Sequence, residues 1–524
     1  MRINFARLME HTAVRWPERE ALVNIERQRR YTYRELHTLT NRIVNMMRER
    51  LALQRGDTYL CILDNDNLSL LHTWTALKGE AAAAFTNLRD AIDEHRWQVE
   101  CMRPKVVFLE NALLAPYYPM LRELGVTVVC MDPVPAEFAQ AEGLYSFWDL
   151  LENVSGDDPG VESDIHADPL LYRFTGGTTG KSKCARYTMD NWLACRDAFF
   201  AEADHAIAPD SRVLHMAPVS HGSGLYFLPT LFRGGCTITQ NQPDIKAWCR
   251  NVEAEKATVS GLVPTVLYWL LDLPEASEHD LSSLQTIYYG AAPISPSKLE
   301  RLQARFGNIF LQIYGSTECL QPVALLPKQD HIAGASHLAS AGRVASTAEV
   351  IVVDDNGTRL PAGETGEIWI RSRATISGYF RNPEGTATEF VNGFWKSGDL
   401  GYVCDQGFLY IVDRKKDMII TGGFNVYAIE VEAALNAHPA VSNSTVVGVP
   451  HEEWGEAVHA EVMLKAGEQV SAEALIEHVK GRLGRYKAPK TVAFVDALPV
   501  SAVGKVLRRQ VRDKYWANQA RRVS

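Results

Sequence analysis

Hydrophobic residues in the first 320 or so positions follow two alternating patterns. Short apolar runs such as TYLCILDN, KVVFLEN, VTVVCMD, TIYYG and IFLQIYG have the length and composition of buried strands. Between them lie segments such as YRELHTLTNRIVNMMRERL, whose apolar residues recur three and four positions apart, as on one helix face. This alternation predicts an α/β fold with largely parallel sheets, whose ligands lie at the carboxyl ends of strands.

The pattern changes twice towards the C-terminus. Positions 340–412 carry short strands and glycine turns, with DDNG as a hairpin signal, and predict a small β-subdomain. After Lys416, helices (AIEVEAALNAH, and one capped at Ser471) and strands (NSTVVGVP, AVHAEVML, TVAFVDAL) predict a compact α+β unit. We therefore predict a large N-terminal domain of two α/β sheet subdomains plus a small β-subdomain, and a small mobile α+β C-terminal domain.

Composition narrows the function classes. A chain of 524 residues is longer than one ordinary domain. Its net charge of −9 is spread along the chain without a block of basic residues, which argues against a nucleic-acid partner. The nine cysteines form no C-x-x-C pair and favour a reducing compartment. The N-terminus does not read as a signal peptide, and no apolar run approaches the ~20 residues that span a bilayer. We expect a cytoplasmic protein with no integral membrane segment.

The segment FTGGTTGKSK, Phe174 to Lys183, is the first candidate for chemistry. Its glycines let backbone N–H groups approach an anion, its hydroxyls add donors, and Lys183 adds positive charge. A Walker A loop would require glycine at position 175, where the chain has Thr175. The segment therefore predicts a phosphate-binding loop outside the P-loop class.

Four further motifs follow this loop in order: IYGSTE (313–318), WKSGDLGYV (395–403), IVDRKKDMIITGGFNVYAIEVE (411–432) and PVSAVGKVLRR (499–509). This succession resembles the adenylate-forming (AMP-binding) superfamily, which comprises acyl-CoA synthetases, peptide-synthetase adenylation domains and beetle luciferases. The resemblance covers nearly the whole chain. It implies an N-terminal ATP- and acid-binding domain at 1–413, a hinge at 414–417 and a C-terminal cap domain at 418–524 that carries the catalytic lysine.

The resemblance also implies the residues of an ATP site. They are Thr175, Gly176, Gly177, Thr178, Thr179, Gly180, Lys183, Gly290, Ala291, Ala292, Pro293, Tyr314, Gly315, Ser316, Thr317, Asp399, Arg414 and Lys505. Tyr314 would stack on adenine and Thr317 would meet the α-phosphate. Asp399 and Arg414 would contact the ribose. Glu318 would hold Mg²⁺, for which a hard carboxylate oxygen is a suitable ligand.

Lys505, Thr178 and Glu318 are the catalytic residues that the resemblance implies. Gly504, which precedes Lys505, would give the loop the backbone freedom to enter the active site. Lys505 would then bridge the substrate carboxylate and the α-phosphate. No protein nucleophile is required, which agrees with the lack of a Ser-His-Asp arrangement in these motifs.

The same lysine must be absent from the site when a thiol attacks. In the family the C-terminal domain rotates about a hinge, here Lys416, and brings a glycine loop to the pantetheine arm of CoA. Gly422 and Gly423 are therefore the predicted CoA-binding residues.

The acid pocket is predicted in PVSHGSGLYFLPTLFRGG (218–235), from His221, Gly222, Leu225 and Tyr226. A histidine of the core is the alternative interpretation of His221. Apolar and aromatic neighbours favour a hydrophobic acid. The segment lacks the aspartate with which amino-acid-activating relatives hold an ammonium group.

The resemblance thus implies an ATP-dependent acyl-CoA synthetase that uses ATP, Mg²⁺ and CoA to activate a hydrophobic carboxylic acid, fatty or aryl/alicyclic. A stand-alone adenylation enzyme that loads an acyl or aryl acid onto a carrier protein is the main alternative. A luciferase-like oxygenase and a catalytically inactive nucleotide-binding regulator are the others. The acid, its chain length and the oligomeric state stay open, with a homodimer as one option.

Overall fold

The computed structural model describes residues 1–175, 182–203, 207–501 and 504–517. Its strands are β1 Arg2–Ile3, β2 Glu20–Asn24, β3 Arg29–Thr32, β4 Thr58–Ile62, β5 Ala82–Phe85, β6 Val106–Leu109, β7 Thr127–Cys130, β8 Leu144–Ser146, β9 Ser163–Asp164, β10 Pro169–Phe174, β11 Cys184–Thr188, β12 Arg212–His215, β13 Cys236–Thr239, β14 Val259–Leu262, β15 Thr286–Gly290, β16 Phe310–Tyr314, β17 Ala324–Leu326, β18 Arg343–Val344, β19 Ala348–Val353, β20 Gly366–Ser372, β21 Phe390–Val391, β22 Phe394–Val403, β23 Leu409–Arg414, β24 Ile419–Thr421, β25 Phe424–Val426, β26 Val441–His451, β27 Gly455–Leu464 and β28 Thr491–Phe494. Its α-helices are α1 Phe5–Arg15, α2 Tyr33–Glu49, α3 Asn65–Leu71, α4 Thr73–Ala76, α5 Ile92–Met102, α6 Leu114–Glu123, α7 Phe147–Leu151, α8 Met189–Glu202, α9 Phe227–Arg233, α10 Ile245–Glu255, α11 Pro264–Asp272, α12 Pro296–Phe306, α13 Pro383–Glu389, α14 Ala428–Asn436, α15 Ala472–Leu483 and α16 Arg508–Trp516. None of these described helices is both long and apolar enough to cross a bilayer.

Two large sheets, with a smaller sheet described below, form the part of the chain before Ile419 that we call the body. One has seven strands in the order β11-β10-β5-β4-β6-β7-β8, and the other has nine in the order β18-β17-β16-β15-β14-β12-β13-β2-β3. Their central pairs are parallel, while β11, β3, β17 and β18 join at the edges as antiparallel strands. This arrangement confirms the predicted α/β architecture with two sheet subdomains.

Local sequence explains why these elements form. Strand β6 is buried along its whole length, as a parallel sheet covered by helices requires. Helix α2 begins at a capping box, in which Thr32 and Glu35 each accept a hydrogen bond from the other's backbone N–H. Its apolar face, which includes Leu36, Ile43 and Met46, is buried. The amphipathic pattern of this segment therefore predicted its helix correctly.

A smaller antiparallel sheet follows, ordered β19-β20-β22-β21 with β23 beside β22. At DDNG the Gly357 N–H donates to the Asp354 carbonyl oxygen over 3.0 Å, so the predicted turn forms. The long partner strand, however, starts only at Gly366. Directly after the turn, the Asp354 N–H donates to the Thr358 carbonyl oxygen over 2.9 Å and the Leu360 N–H donates to the Val352 carbonyl oxygen over 2.8 Å, so the predicted hairpin forms.

The fourth sheet, ordered β25-β24-β27-β26 with β28 beside β27, forms what we call the C-terminal lobe, from Ile419 onwards. Helices α14, α15 and α16 pack against it. The Ser471 side chain accepts from the Ala474 N–H over 3.1 Å, which confirms the predicted start of α15. The strands and helices predicted after Lys416 are thus present.

Charged side chains connect the lobe to the body. Lys298 on α12, only 2% exposed, donates from Nζ to the Ser442 carbonyl oxygen at the start of β26. Arg508 of the lobe lies 3.4 Å from the Asp413 carboxylate at the end of β23 and 3.3 Å from that of Asp417. These contacts fix the lobe over the carboxyl ends of the body's strands, where α/β proteins bind ligands.

Candidate active site

Strands β16, β22 and β23 bring together the residues predicted for adenine and ribose. Asp399 of β22 and Arg414 of β23 are directly opposite each other in the antiparallel register. The Arg414 Nε lies 3.0 Å from one Asp399 oxygen, and the Tyr314 hydroxyl donates to the other over 2.6 Å. Burial, together with the Asp399 charge, raises the pKa of Tyr314 well above its usual value, so this tyrosine stays a donor. The carboxylate is thereby oriented with both oxygens engaged.

The segment predicted to line the adenine pocket approaches the neighbouring strand closely. A Cβ at Gly290 would clash with the carbonyl oxygen of Ile313 on β16, so only glycine fits. Ala291 has a φ of +67°, a left-handed conformation in which a small residue is least strained. Ala292 is half-buried, while Ala291 and Pro293 are exposed. Residues 290–293 thus form a short, largely exposed stretch of backbone beside the end of β16.

The loop after β16 is equally constrained. A Cβ at Gly315 would lie 2.6 Å from the Gln321 side chain, which explains the glycine. The Ser316 hydroxyl donates to Glu318 over 3.1 Å and accepts from the Glu318 N–H over 3.0 Å. The Thr317 carbonyl oxygen accepts a hydrogen bond from Tyr187. The loop is therefore preorganised by its own hydrogen bonds.

Glu318 shares a hydroxyl with a second carboxylate. The Tyr379 hydroxyl lies 2.9 Å from a Glu318 oxygen and 2.5 Å from a Glu389 oxygen, yet it has one proton to donate. Burial raises the pKa of Glu318, and the Glu389 charge adds to this effect. A cation at Glu318 would relieve this repulsion, and Mg²⁺ typically takes one or two protein carboxylates with phosphate and water oxygens. The residues present therefore fit the predicted Mg²⁺ ligand.

The phosphate loop is described only at its ends. Thr175 and Lys183 pair across its base, with the Thr175 N–H donating to the Lys183 carbonyl oxygen over 2.8 Å. Gly176, Gly177, Thr178, Thr179 and Gly180 lie outside the described residues. Since β10 and β11 are antiparallel up to Phe174 and Cys184, the loop joins two adjacent strands.

Lys183 has a partner that the sequence did not predict. Its ammonium group forms an ion pair with Glu389 at the end of α13 and lies 5.0 Å from the centre of the Tyr379 ring. Lys183, Glu389, Tyr379 and Glu318 thus form a continuous network between the phosphate loop and the predicted metal ligand.

Lys505 reaches this site from the C-terminal lobe. Its loop is closed by a hydrogen bond from the Ser501 N–H to the Lys505 carbonyl oxygen, 2.7 Å long. Gly504 has a φ of +79°, and a Cβ there would lie 3.1 Å from the Val263 side chain at the start of α11. The loop therefore packs directly on the body.

The pKa of Lys505 depends on the charged residues near its ammonium group. Burial, and then the Arg414 charge, lower the pKa of its ammonium group to about 8, while Asp399 and Glu318 oppose this shift. These are the predicted ribose and metal residues. The structure therefore places Asp399, Arg414 and Glu318 within range of the charge of the predicted catalytic lysine, and we call their surroundings the cleft.

The predicted acid segment borders the same cleft. His221 is half-buried, and its Nδ1 lies 3.0 Å from the Ser220 hydroxyl, so it is not a histidine of the closed core. Burial, then the charges of Arg173 and Lys505, lower the pKa of His221 to about 3. Gly222 is exposed, whereas Leu225 and Tyr226 are buried.

The predicted CoA glycines are not at this cleft. Gly422 and Gly423 form the exposed turn between β24 and β25, and the Gly422 N–H donates to the Trp454 carbonyl oxygen within the lobe. Among the described residues, no hydrogen bond joins this turn to the Tyr314 cluster. Lys416 lies two residues after the end of β23, and burial lowers its pKa to about 8.

Sequence reasoning missed several residues here. Glu389 and Tyr379 stand in SGYFRNPEGTATEF, a stretch with no chemical signal of its own. Arg173 is a different case, because a charged residue within the apolar run PLLYRF is unusual and could have been noticed.

Known protein families and structures resemble this chain over most of its length. The model for AMP-binding enzymes matches residues 9–380, and the model for the AMP-binding enzyme C-terminal domain matches residues 430–505. The chain is 36% identical over 441 residues to the medium/long-chain-fatty-acid–CoA ligase FadD8 of Mycobacterium tuberculosis, which covers 78% of this chain and 76% of FadD8. It is 31% identical over 501 residues to the fatty acid–acyl-carrier-protein ligase ScoC of Streptomyces coeruleorubidus, with 95% and 94% covered.

The crystal structure of ATP-bound MatB from Rhodopseudomonas palustris has the same fold. It superposes with a TM-score of 0.87 at 27% identity, covering 98% of this chain and 99% of MatB. The chain therefore belongs to the AMP-binding enzyme family, with the C-terminal domain characteristic of that family.

Proposed function

We propose that this chain is an ATP-dependent acyl-CoA synthetase that activates a hydrophobic carboxylic acid. The observation that carries the proposal is that the Lys505 loop of the C-terminal lobe packs on the body, with Gly504 against Val263, where Asp399, Arg414 and Glu318 act on the charge of Lys505. The names of FadD8 and ScoC, both fatty-acid ligases, support the class of acid.

In the first half-reaction a carboxylate oxygen of the acid attacks the α-phosphorus of ATP. The bond to the bridging oxygen breaks, and pyrophosphate leaves with the electron pair. Asp399 and Arg414 would hold the ribose, and Tyr314 the adenine ring. The Lys505 ammonium group would stabilise the negative charge that develops around the phosphorus atom.

Glu318 would hold the Mg²⁺ ion that accompanies ATP. When bound, this ion neutralises part of the triphosphate charge and so assists the departure of pyrophosphate. Among the protein groups, Ser316 and Tyr379 orient the Glu318 carboxylate by hydrogen bonds. Thr178 and the glycines around it stay predictions for phosphate binding.

In the second half-reaction the thiolate sulfur of CoA attacks the carbonyl carbon of the acyl-adenylate. The bond from carbon to the phosphate oxygen breaks, AMP leaves, and the thiol proton goes to solvent. Lys505 would have to withdraw, and rotation about Lys416 would bring Gly422 and Gly423 to the pantetheine arm. A few residues at such a boundary can absorb the backbone change.

Pyrophosphate release across a panel of acids tests the proposal. The panel contains acetate, hexanoate, dodecanoate, phenylacetate and phenylalanine, each with MgATP and with or without CoA. We expect release with one class of hydrophobic acid, stimulated by CoA, and acyl-CoA as the product in mass spectrometry. Release with phenylalanine alone, or with no acid, would overturn it.

Loading of a carrier protein is the second candidate, and the likeness to ScoC over 95% of the chain favours it specifically. The two differ in the acceptor thiol. If a carrier protein with its phosphopantetheine arm is acylated while free CoA is not, the carrier-protein reaction is correct. A cytoplasmic location and a homodimer stay predictions.

A further inference from the structure

Arg173 on β10 lies in surroundings unusual for a cation. It is 5% exposed and stands between Tyr172 and Phe174, which are also buried. Its Nε donates to the Ser220 carbonyl oxygen over 2.9 Å. This is the single hydrogen bond that the Arg173 side chain makes within the described part of the chain. A guanidinium group has five N–H donors, so the described residues use only a small part of its hydrogen-bonding capacity.

No carboxylate among the described residues forms an ion pair with Arg173. The groups that interact with its charge are Tyr187, Cys195, His72 and His221. Burial raises the pKa values of Tyr187 and Cys195 and lowers those of both histidines, so all four are neutral near pH 7. A buried cation without a counterion is costly, and natural proteins rarely keep one unless an anion joins it.

The position of Arg173 indicates which anion could join it. Thr175, two residues later, begins the phosphate loop, and Ser220, its hydrogen-bond partner, precedes His221 in the predicted acid segment. His221 feels the charges of both Arg173 and Lys505. Arg173 is therefore near the junction where the acid would meet the α-phosphate.

We propose that Arg173 binds the carboxylate of the acid substrate beside His221, while Lys505 approaches from the C-terminal lobe. The planar guanidinium fork matches a carboxylate and can bind both of its oxygens. The inference rests on the proposed function and adds a residue that recognises the reacting group. An α-phosphate is the competing oxyanion, and the experiment separates the two.

The test compares Arg173→Met, Arg173→Lys and wild type, with the panel acid that gives the fastest pyrophosphate release. Loss of one charge-assisted pair corresponds to a rise of about 10- to 100-fold in the KM for the acid in Arg173→Met. We expect an unchanged KM for ATP, and a smaller rise in Arg173→Lys, which keeps the charge but not the fork. Arg186→Met is the matched control, because Arg186 lies on the neighbouring strand opposite Tyr172 and bonds to Ser377 on the other face.

Two further readouts distinguish binding from a structural role. The reaction of a preformed acyl-adenylate with CoA should be unaffected in Arg173→Met, since the adenylate has no free carboxylate. The melting temperature of ligand-free Arg173→Met should equal or exceed that of wild type, because an unpaired buried charge is removed.

Three outcomes would overturn the inference. An unchanged KM for the acid in Arg173→Met would show that Arg173 does not bind the carboxylate. Equal losses in the affinities for AMP and for the acid would assign Arg173 to the phosphate. A fall in melting temperature with proportionate loss of both half-reactions would make it a structural residue. If wild type releases no pyrophosphate with any panel acid, the proposed function itself fails, which is a distinct result.

Discussion

The surroundings of Lys505 give adenylation a pH dependence that can be worked out in advance. Burial and the Arg414 charge lower its pKa to about 8. The value of kcat/KM for ATP reports the ionisation of the free enzyme, so it should fall as the ammonium group loses its proton. With this pKa, about 90% of the lysine is charged at about pH 7 and about 10% at about pH 9. We therefore expect a fall of about tenfold over that interval.

ATP–pyrophosphate exchange at saturating acid measures this fall without CoA. Lys505→Arg should remove the alkaline fall, because a guanidinium stays charged throughout the range. Lys416→Arg is the control for the other lysine whose pKa is lowered to about 8, and it should keep the fall. Transfer from a preformed acyl-adenylate to CoA should instead rise with pH, as the thiol ionises. A flat exchange profile, or a fall that persists in Lys505→Arg, would refute the reasoning.

Three other substitutions test separate contacts. Glu389→Gln removes the ion pair of Lys183. We expect the KM for MgATP to rise about tenfold and the KM for the acid to change little. Equal changes in the two KM values would contradict this. Lys298→Met removes a hydrogen bond by which the body holds Ser442 of the lobe; the observed lobe orientation should become less stable, so adenylation should slow relative to single-turnover thioester formation, and a slower thioester step with unchanged adenylation would oppose this. Asp399→Asn replaces the buried carboxylate that pairs with Arg414; the KM for ATP should rise about 10- to 100-fold in steady-state assays, whereas an unchanged value would remove the ribose assignment.

The sequence predicted those site residues whose identity is set by a local requirement of the backbone. Gly290 and Gly315 are glycines because neighbouring atoms leave no room for a side chain, and Tyr314 ends a buried strand. Such constraints leave recurrent motifs that sequence alone can recognise. Strand and helix types in the lobe were predictable for a related reason, since their period and the start at Ser471 are local.

Long-range pairs were not predictable in the same way. The ion pair of Lys183 and Glu389 joins positions 206 residues apart, and no local pattern specifies it. The pairing of Lys298 with Ser442 depends on how the lobe lies against the body. At DDNG, by contrast, the turn was local and correctly predicted.

Separate assay of the two half-reactions in Lys505→Ala tests the central claim most directly. If Lys505 stabilises charge only while the acid joins AMP, ATP–pyrophosphate exchange should fall by about 100- to 1,000-fold. Transfer of the acyl group from a preformed adenylate to CoA should stay near the wild-type rate. Equal loss in both half-reactions, or exchange at the wild-type rate, would contradict the role assigned to this lysine.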